Sequence, residues 1–165
     1  MIKKNDNLIL YIMIILMGLF NSCLSNKNVP ATVNSVDLEK YAGKWYEIAA
    51  FPTKFQKGCS CSSAEYSLNS KGYVDVLNSC YKSNEASSIK GKAFIVKGSN
   101  NSKLKVQFFW PFKGDYWIIE LADDYSWVAV GSPKRNFLWI MSRTKTMDET
   151  LYKQINQKLI NKGFD

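Results

Sequence analysis

The sequence contains no histidine, and this absence excludes several kinds of active site. A Ser-His-Asp triad and a Cys-His pair both need an imidazole as general base, and many zinc sites need imidazole ligands. We therefore expect a protein that is not an enzyme and that needs no metal or other cofactor.

The chain also lacks an apolar run long enough to span a membrane. The longest one, from Leu8 to Phe20, is shorter than the roughly 20 residues that a membrane-spanning helix needs. It follows Lys3 and Lys4 and ends at Ser22-Cys23, and this order of basic start, apolar centre and small-residue exit is typical of a secretory signal peptide. The sequence predicts a signal peptide over residues 1–22, with a retained membrane anchor as the weaker alternative.

Cys23 stands directly at the predicted cleavage site. The segment Leu19-Phe20-Asn21-Ser22-Cys23 resembles a bacterial lipobox, in which the cysteine is acylated and becomes the first residue. Several acyl chains on one N-terminus hold a protein at a membrane, whereas a single chain binds only marginally. Leu24 rather than an acidic residue follows, so nothing there directs retention in the inner membrane. We expect a lipid-anchored protein of the cell envelope, at the outer membrane; the alternative is an ordinary signal peptide.

Acidic residues are fewer than basic ones. Without residues 1–22 the chain keeps 20 basic and 13 acidic residues. Because an exported protein does not meet nucleic acid, this charge favours an anionic membrane surface or an acidic ligand head group.

Residues 23–36 are polar, contain Pro30 and lack periodicity, so we predict a flexible tether there and a folded domain over residues 37–165. Asp37 is expected to cap a helical turn through Tyr41. From Gly43 on, short β-rich segments alternate with turn signals, which favours an up-and-down antiparallel meander. Eight such strands close into a barrel wide enough for one small ligand. They are predicted at about 43–51, 61–68, 73–80, 89–97, 103–110, 115–122, 126–132 and 137–143.

One helix is predicted after the strands. Thr146 and Glu149 have the spacing of a capping box, and Gly163 is a plausible C-terminal stop. Leu151, Ile155 and Leu159 form a single apolar stripe, which fits the outer wall of a barrel. The predicted fold class is all-β, an eight-stranded up-and-down antiparallel barrel with one C-terminal α-helix packed outside.

Three local motifs occur in the order of one family. Gly43-Lys44-Trp45 resembles the G-x-W motif of lipocalins, Asp124-Tyr125 their second motif and Arg143 their third. The segments 108–116 and 138–144 are similar to those of the bacterial outer-membrane lipoprotein type, in the branch with apolipoprotein D and the plant temperature-induced lipocalins. In such a barrel, Trp45 is expected to plug the narrow end, with the Arg143 guanidinium laid across its indole.

The resemblance implies a calyx, an inner space that binds or transports one small hydrophobic ligand. Fatty acids and lysophospholipids are the expected classes, and haem or bilin-like pigments are alternatives. The period-two alternation of strands sorts side chains into inner and outer sets, although a slip of one residue exchanges them. A barrel filled by its own side chains is the competing interpretation. Together, resemblance and alternation predict ligand contacts at Phe55, Ala64, Tyr66, Val76, Ile95, Val106, Phe108, Tyr116, Ile118, Phe137 and Trp139.

Three cysteines remain after Cys23, and an exported compartment permits disulfides. Cys61 and Cys80 are equidistant from the turn between the second and third strands, which predicts a Cys61–Cys80 bridge, with Cys59 competing for Cys80. One thiol is left over. A few lipocalins use a barrel cysteine in catalysis, so a cysteine-dependent enzyme is an alternative function. It is weakened by the lack of a histidine base.

A structural or adhesion protein of the envelope is the third hypothesis. Trp110, Pro111 and Phe112 lie beside the predicted turn between the fifth and sixth strands. There they form either an exposed apolar patch, suited to a homodimer or to membrane contact, or part of the packed rim. Glu47 and Glu120 are both predicted at inward positions, without a second signature of acid–base catalysis.

Overall fold

The computed structural model describes residues 29–164. The signal peptide and the acylated Cys23 predicted from the sequence lie outside the described residues. Of the predicted tether, the part from Val29 on lies against the barrel. Val33 N donates to Ile118 O at 3.0 Å, Val36 N donates to Asn100 O at 3.0 Å, and the Val36 side chain is buried. This part of the segment is therefore packed on the domain.

Eight strands form one closed barrel, in which each strand pairs antiparallel with the next and the last pairs with the first. This confirms the predicted fold class. A helical turn, α1 (Leu38–Tyr41), precedes the strands, and the helix α2 (Glu149–Asn161) follows them. The strands are β1 (Gly43–Ala50), β2 (Cys59–Leu68), β3 (Val74–Lys82), β4 (Glu85–Ile95), β5 (Lys103–Gln107), β6 (Gly114–Leu121), β7 (Trp127–Gly131) and β8 (Leu138–Ser142).

Two strand boundaries differ from the prediction by more than two residues, the start of β4 and the end of β5. β4 begins at Glu85 because Ser83 and Asn84, with φ of 52° and 65°, form a two-residue turn that lets pairing continue to its tip. β5 ends at Gln107, so residues 108–113 form a loop, whereas the sequence predicted a strand as far as residue 110.

The alternation of the strands builds two buried clusters. The inner one fills the part of the barrel nearer to α1 and includes Trp45, Tyr66 and Ile118. The outer one joins the barrel wall to α2, where Ile155 and Leu159 are fully buried, as the apolar stripe predicted. Gly131 lies beneath Phe164, and a Cβ atom at Gly131 would come within 2.7 Å of the Phe164 ring, so a glycine is needed there.

The N-terminus of α2 differs from its predicted capping box. Asp148 is the N-cap, and its Oδ1 accepts a hydrogen bond from Leu151 N at 3.0 Å. Thr146 lies two residues too early, and its carbonyl accepts from Thr144 Oγ1. The short Asp148 carboxylate reaches the free N–H groups of the first turn, so the Thr146–Glu149 box was wrong. By contrast, Asp37 caps α1 as predicted, accepting from Glu39 N and Lys40 N.

A β-bulge in β6 changes one inward prediction. The register between β6 and β7 shifts between Ile118 and Glu120. The extra residue turns Glu120 outward, where its Oε1 lies 2.6 Å from Lys162 Nζ just beyond α2. The predicted inward position of Glu120 was therefore wrong.

The barrel has two ends that face opposite directions along its axis. We call the end that carries α1 and the turns 69–73, 96–102, 122–126 and 143–148 the closed end. The other end, which carries the loops 51–58, 108–113 and 132–137 and the 82–85 hairpin tip, is the open end.

Candidate ligand-binding calyx

The closed end is sealed by Trp45 and Arg143. Trp45 is fully buried, and its Nε1 donates to Tyr41 O at 2.8 Å. The Arg143 guanidinium carbon lies 3.8 Å from the centroid of the indole, and its nitrogens donate to the carbonyls of Lys40, Tyr41, Lys44 and Tyr125. The predicted plug is confirmed, and both side chains are occupied by structural contacts.

Tyr125, from the second motif, holds α1 in place over this end. Its backbone has a φ of 59°, and its hydroxyl accepts a hydrogen bond from Asp37 N at 2.9 Å. Asp124 accepts from Ser126 N within the same turn. The three family motifs therefore meet at the closed end, where they fix the cap of the barrel.

Above this plug, three tyrosine hydroxyls meet in the floor of the calyx. Tyr116 Oη lies 2.6 Å from Tyr41 Oη and 2.9 Å from Tyr66 Oη. Burial raises the pKa of Tyr66 to about 12 and also raises the pKa values of Tyr41 and Tyr116. The three hydroxyls therefore stay neutral at physiological pH and satisfy one another's hydrogen bonds in an apolar setting.

The floor around these tyrosines is packed. Leu38, Ala93, Leu104 and Val106 surround them, and the remaining cavity there has a volume of about 10 Å³. That is room for no more than one water molecule. The floor therefore has no room for a ligand of lipid size.

Phe108 narrows the barrel above the floor. A Cβ atom at Gly91 would come within 2.7 Å of the Phe108 ring, so the ring lies directly on the glycine backbone. Phe108 also packs against the inner cluster. Because only glycine leaves this space, Gly91 lets a large aromatic ring pack directly against the backbone of the inner wall.

A chain of polar groups lies higher, on the inner wall below the first loop. Gln56 Nε2 donates to Glu47 Oε2 at 2.6 Å, while Trp139 Nε1 donates to Gln56 Oε1 at 3.0 Å. Gln56 thus ties the loop 51–58 to both β1 and β8. Desolvation raises the pKa of Glu47, and its hydrogen bond with Gln56 opposes that rise. No sequence pattern predicted the contacts of Gln56 with Glu47 and Trp139, because the direction of its side chain depends on the path of the loop.

Three aromatic rings form one wall of the open end. Phe137 stacks on Trp139 with a centroid distance of 5.8 Å and an interplanar angle of 9°. Phe55, from the first loop, lies 6.0 Å from Phe137 and 6.5 Å from Trp139. We call these three side chains the aromatic wall, and Phe55 remains 68% exposed in it.

The predicted ligand contacts fall into three groups. Those of the floor are buried in the inner cluster or pack against it: Ala64, Tyr66, Val76, Val106, Tyr116 and Ile118. Those of the middle and upper barrel are Phe108 and the aromatic wall, Phe55, Phe137 and Trp139. Ile95 stands apart, because it ends β4 at the closed end, is 39% exposed and belongs to neither buried cluster.

The disulfide joins Cys59 to Cys80, with a Cα–Cα distance of 5.5 Å, and Cys61 is free and exposed. The predicted Cys61–Cys80 bridge was therefore wrong, and its competitor forms. Ser60 pairs with Tyr81 and Ser63 pairs with Ser79, so a bulge sets Cys61 and Ser62 against one residue of β3. The hairpin symmetry assumed an unbroken register, which this extra residue offsets.

A second cavity lies outside the barrel. A shallow cleft of about 480 Å³ runs between residues 29–31 and the end of α2, outside the barrel, and is wide open to solvent. Its walls mix apolar residues with the polar side chains of Arg135, Asn161 and Lys162, and its open shape distinguishes it from the enclosed apolar sites that bind small molecules. Within residues 29–164, no group of three His, Cys, Asp or Glu side chains is placed to hold a metal ion. Neither described helix is long and apolar enough to cross a membrane.

Comparison with known proteins agrees with this architecture. The sequence model of the lipocalin-like domain family matches residues 36–165 of this chain. This chain belongs to the lipocalin family. Temperature-induced lipocalin-1 of Arabidopsis thaliana is 37% identical over 151 residues, which cover 86% of this chain and 81% of the plant protein. The outer membrane lipoprotein Blc of Vibrio cholerae is 37% identical over 150 residues, covering 89% of this chain and 88% of the relative.

Other similarities lie in the same family. Apolipoprotein D of Bos taurus is 36% identical over 113 residues, covering 67% of this chain and 58% of that protein. Insecticyanin from the tobacco hornworm superimposes with a TM-score of 0.65 at 21% identity, over 80% of this chain and 76% of that one. At that identity the superposition shows the shared fold alone. The sequence relatives include the three types of lipocalin that the motifs predicted.

Proposed function

We propose that this chain binds an acyl lipid of the fatty-acid or lysophospholipid class in the upper half of its calyx, and that it carries or stores this ligand at the bacterial cell envelope. The aromatic wall of Phe55, Phe137 and Trp139 carries the proposal. Phe55 is exposed and Phe137 and Trp139 are half-buried, and the three rings lie above a floor that is already packed. Such a surface fits an acyl chain, since burying it removes apolar area from water.

The floor sets the depth to which an acyl chain reaches. Tyr66 and Tyr116 are held by their mutual hydrogen bond, and Ile118 beside them has no accessible surface. We therefore assign the contacts with the chain to the aromatic wall and Phe108. The deeper residues predicted from the sequence support that surface from below.

The proposal gives Cys61 no catalytic role. Its thiol is exposed on a bulge, and the chain has no histidine that would take its proton. The relatives named above are lipocalins and lipoproteins, and their names describe no reaction. Replacing Cys61 by serine is expected to leave ligand affinity unchanged.

Ligand binding is tested on the chain from Val29 on, which contains the whole barrel. Native mass spectrometry with lipid extraction identifies what co-purifies, and titration with a lysophospholipid or a fatty acid follows tryptophan fluorescence. Phe137→Ala is expected to weaken binding by about tenfold, from the apolar area it removes. The matched control is Phe94→Ala on the outer wall, where the ring packs on Tyr73. A chain that co-purifies with no lipid and binds none of these amphiphiles contradicts the proposal.

The envelope location rests on the lipobox-like segment at Cys23 and on relatives that are named outer membrane lipoproteins. In cells, Cys23→Ala is expected to release the protein from the membrane fraction, while Cys61→Ser leaves it there. If the Cys23 variant stays with the outer membrane, the lipid anchor is not what holds the protein.

A further inference from the structure

The loop 108–113 at the open end carries unusually exposed aromatic residues. Trp110 is 86% exposed, Phe112 is 77% exposed and Phe109 is 68% exposed. With Phe55, these are the four most exposed large apolar side chains among the described residues, and all four belong to the open end. The alternative prediction, in which Trp110 and Phe112 pack at the rim, was wrong. We call Phe109, Trp110 and Phe112 the aromatic tip.

Charge is distributed unequally between the two ends. The open-end loops and hairpin tip contain six basic residues against a single acidic one, Glu85. The basic ones are Lys54, Lys57, Lys82, Lys113, Lys134 and Arg135. The closed end, counted over α1 with its cap and its turns, contains five basic and five acidic residues. The surplus of positive charge in the loops is therefore confined to the end that carries the aromatic tip.

One lysine joins these two features directly. Lys113 follows the aromatic tip, and its Nζ lies 4.0 Å from the centroid of the Phe94 ring on the outer wall. This contact holds the base of the loop against the barrel and leaves the tip outward. Lys54 and Lys57 stand on the first loop on either side of Phe55 and Gln56. An anionic membrane surface has two layers that match this arrangement. Exposed aromatic rings fit its interfacial layer, and the surrounding lysines fit its negatively charged head groups.

From this combination we infer that the open end docks on an anionic phospholipid surface, with the aromatic tip in the interfacial layer and the lysines against the head groups. The orientation points the aromatic wall of the calyx at the lipid layer. The docking surface is separate from the calyx, since none of the tip residues belongs to the inner cluster. It is also separate from any acyl anchor, because it lies within residues 29–164.

The test uses the chain from Val29 on, so that neither signal peptide nor lipid anchor contributes. Flotation with vesicles of phosphatidylcholine alone is compared with flotation with equimolar phosphatidylcholine and phosphatidylglycerol. Binding is expected only to the anionic vesicles and should decline as salt is raised, because exposed charges are screened. Acyl chains brominated near the head group are expected to quench Trp110.

Two variants separate the apolar and electrostatic contributions. Trp110→Ser with Phe112→Ser removes the tip, and its control is Leu68→Ser with Ile95→Ser, two exposed apolar residues at the closed end. Lys54→Gln, Lys57→Gln and Lys134→Gln together remove open-end charge, and their control is Lys71→Gln, Lys97→Gln and Lys145→Gln at the closed end. Each open-end variant is expected to lose about tenfold or more in vesicle affinity, while both controls stay within about twofold.

Each result decides for or against the inference. Equal binding to neutral vesicles, or equal losses in the two lysine variants, overturns it. So does a chain that ignores all vesicles but forms dimers that the tip variant converts to monomers, since the tip then contacts a second copy. Ligand affinity measured in solution is expected to be unchanged in every variant. A chain that binds ligand but not vesicles therefore contradicts the docking surface and leaves the proposed lipid binding in the calyx unaffected.

Discussion

The closed end and the open end of this barrel divide two tasks between them. At the closed end, a buried indole, an arginine that donates to four carbonyls and three linked tyrosines leave almost no space. At the open end, aromatic rings stay accessible and the loops carry a surplus of positive charge. The family motifs all meet at the closed end. They therefore specify the fold, and the chemistry that selects a ligand lies in residues outside them.

The largest expected effect comes from removing the plug. Trp45→Ala should lower the free energy of unfolding by about 3–5 kcal/mol, because a large fully buried side chain leaves a cavity. Urea unfolding, followed by circular dichroism, measures this loss. The control is Trp110→Ala at the open end, which should change stability by no more than about 0.5 kcal/mol since its ring is exposed. Equal effects of the two substitutions would remove the contrast between the ends.

The disulfide is the exception to this contrast, since it is a stabilising link at the open end. Cys59→Ser should lower the free energy of unfolding by about 3 kcal/mol, because the bridge closes a 21-residue separation in the chain. Cys61→Ser should have almost no effect. Urea unfolding under non-reducing conditions compares the two, and peptide mapping identifies the bond. A larger loss with the Cys61 variant would restore the pairing that hairpin symmetry predicted.

Tyr116 is the hub of the floor. Tyr116→Phe should lower the free energy of unfolding by about 1–3 kcal/mol, because it leaves the buried hydroxyls of Tyr41 and Tyr66 without their shared partner. Chemical unfolding of this variant at neutral pH measures the loss. A stability equal to that of the unmodified chain would mean that the three hydroxyls contribute nothing as a group.

The same cluster predicts a pH dependence. The folded state holds the phenolic proton of Tyr66 more tightly than the unfolded chain does. Its contribution to stability is therefore complete below pH 10 and is lost as the pH rises through about 12. Ultraviolet titration should show these tyrosines ionising only as the barrel unfolds. Ionisation of all tyrosines near pH 10 in the folded protein would contradict the buried cluster.

The smallest expected effect is at Glu47, on the open side of the floor. Desolvation raises the folded pKa of Glu47 above the ordinary value of 4.5. The contribution of this carboxyl to the free energy of unfolding is therefore complete below pH 4.5 and is lost as the pH rises through the folded pKa. Glu47→Gln should flatten this part of the stability profile and keep the bond to Gln56. Urea midpoints across acidic to neutral pH measure it. An unchanged slope in the variant would assign the dependence to another group.

The strand pattern and the motifs predicted most of the fold from local signals. Trp45 and Arg143 meet as expected because both are fixed by regular structure, a strand and the end of a strand. The wrong predictions at Cys61 and Glu120 have one physical cause. Each follows from a β-bulge, which adds a residue and reverses the inner and outer sets beyond it. No turn residue or periodicity in the sequence marks either position.

The upper calyx was harder to predict for a different reason. Gln56 lies in the loop 51–58, and its contacts with Glu47 and Trp139 depend on how that loop folds over the barrel. The depth of the calyx was also hidden, because alternation shows which way Ala64 or Val76 points and not whether neighbours already fill the space. The contact between the Phe108 ring and Gly91 was also hidden, because it depends on how β4 and β5 pair.

The division between a packed floor and an accessible aromatic wall is tested most directly by locating a bound acyl chain. A lysophospholipid brominated along its chain is titrated into Trp139→Phe and Trp45→Phe variants of the chain from Val29 on. If the ligand lies against the aromatic wall, quenching should be largely lost in the Trp139 variant and retained in the Trp45 variant. Quenching that depends on Trp45, or that is the same in both variants, would contradict this account of the calyx.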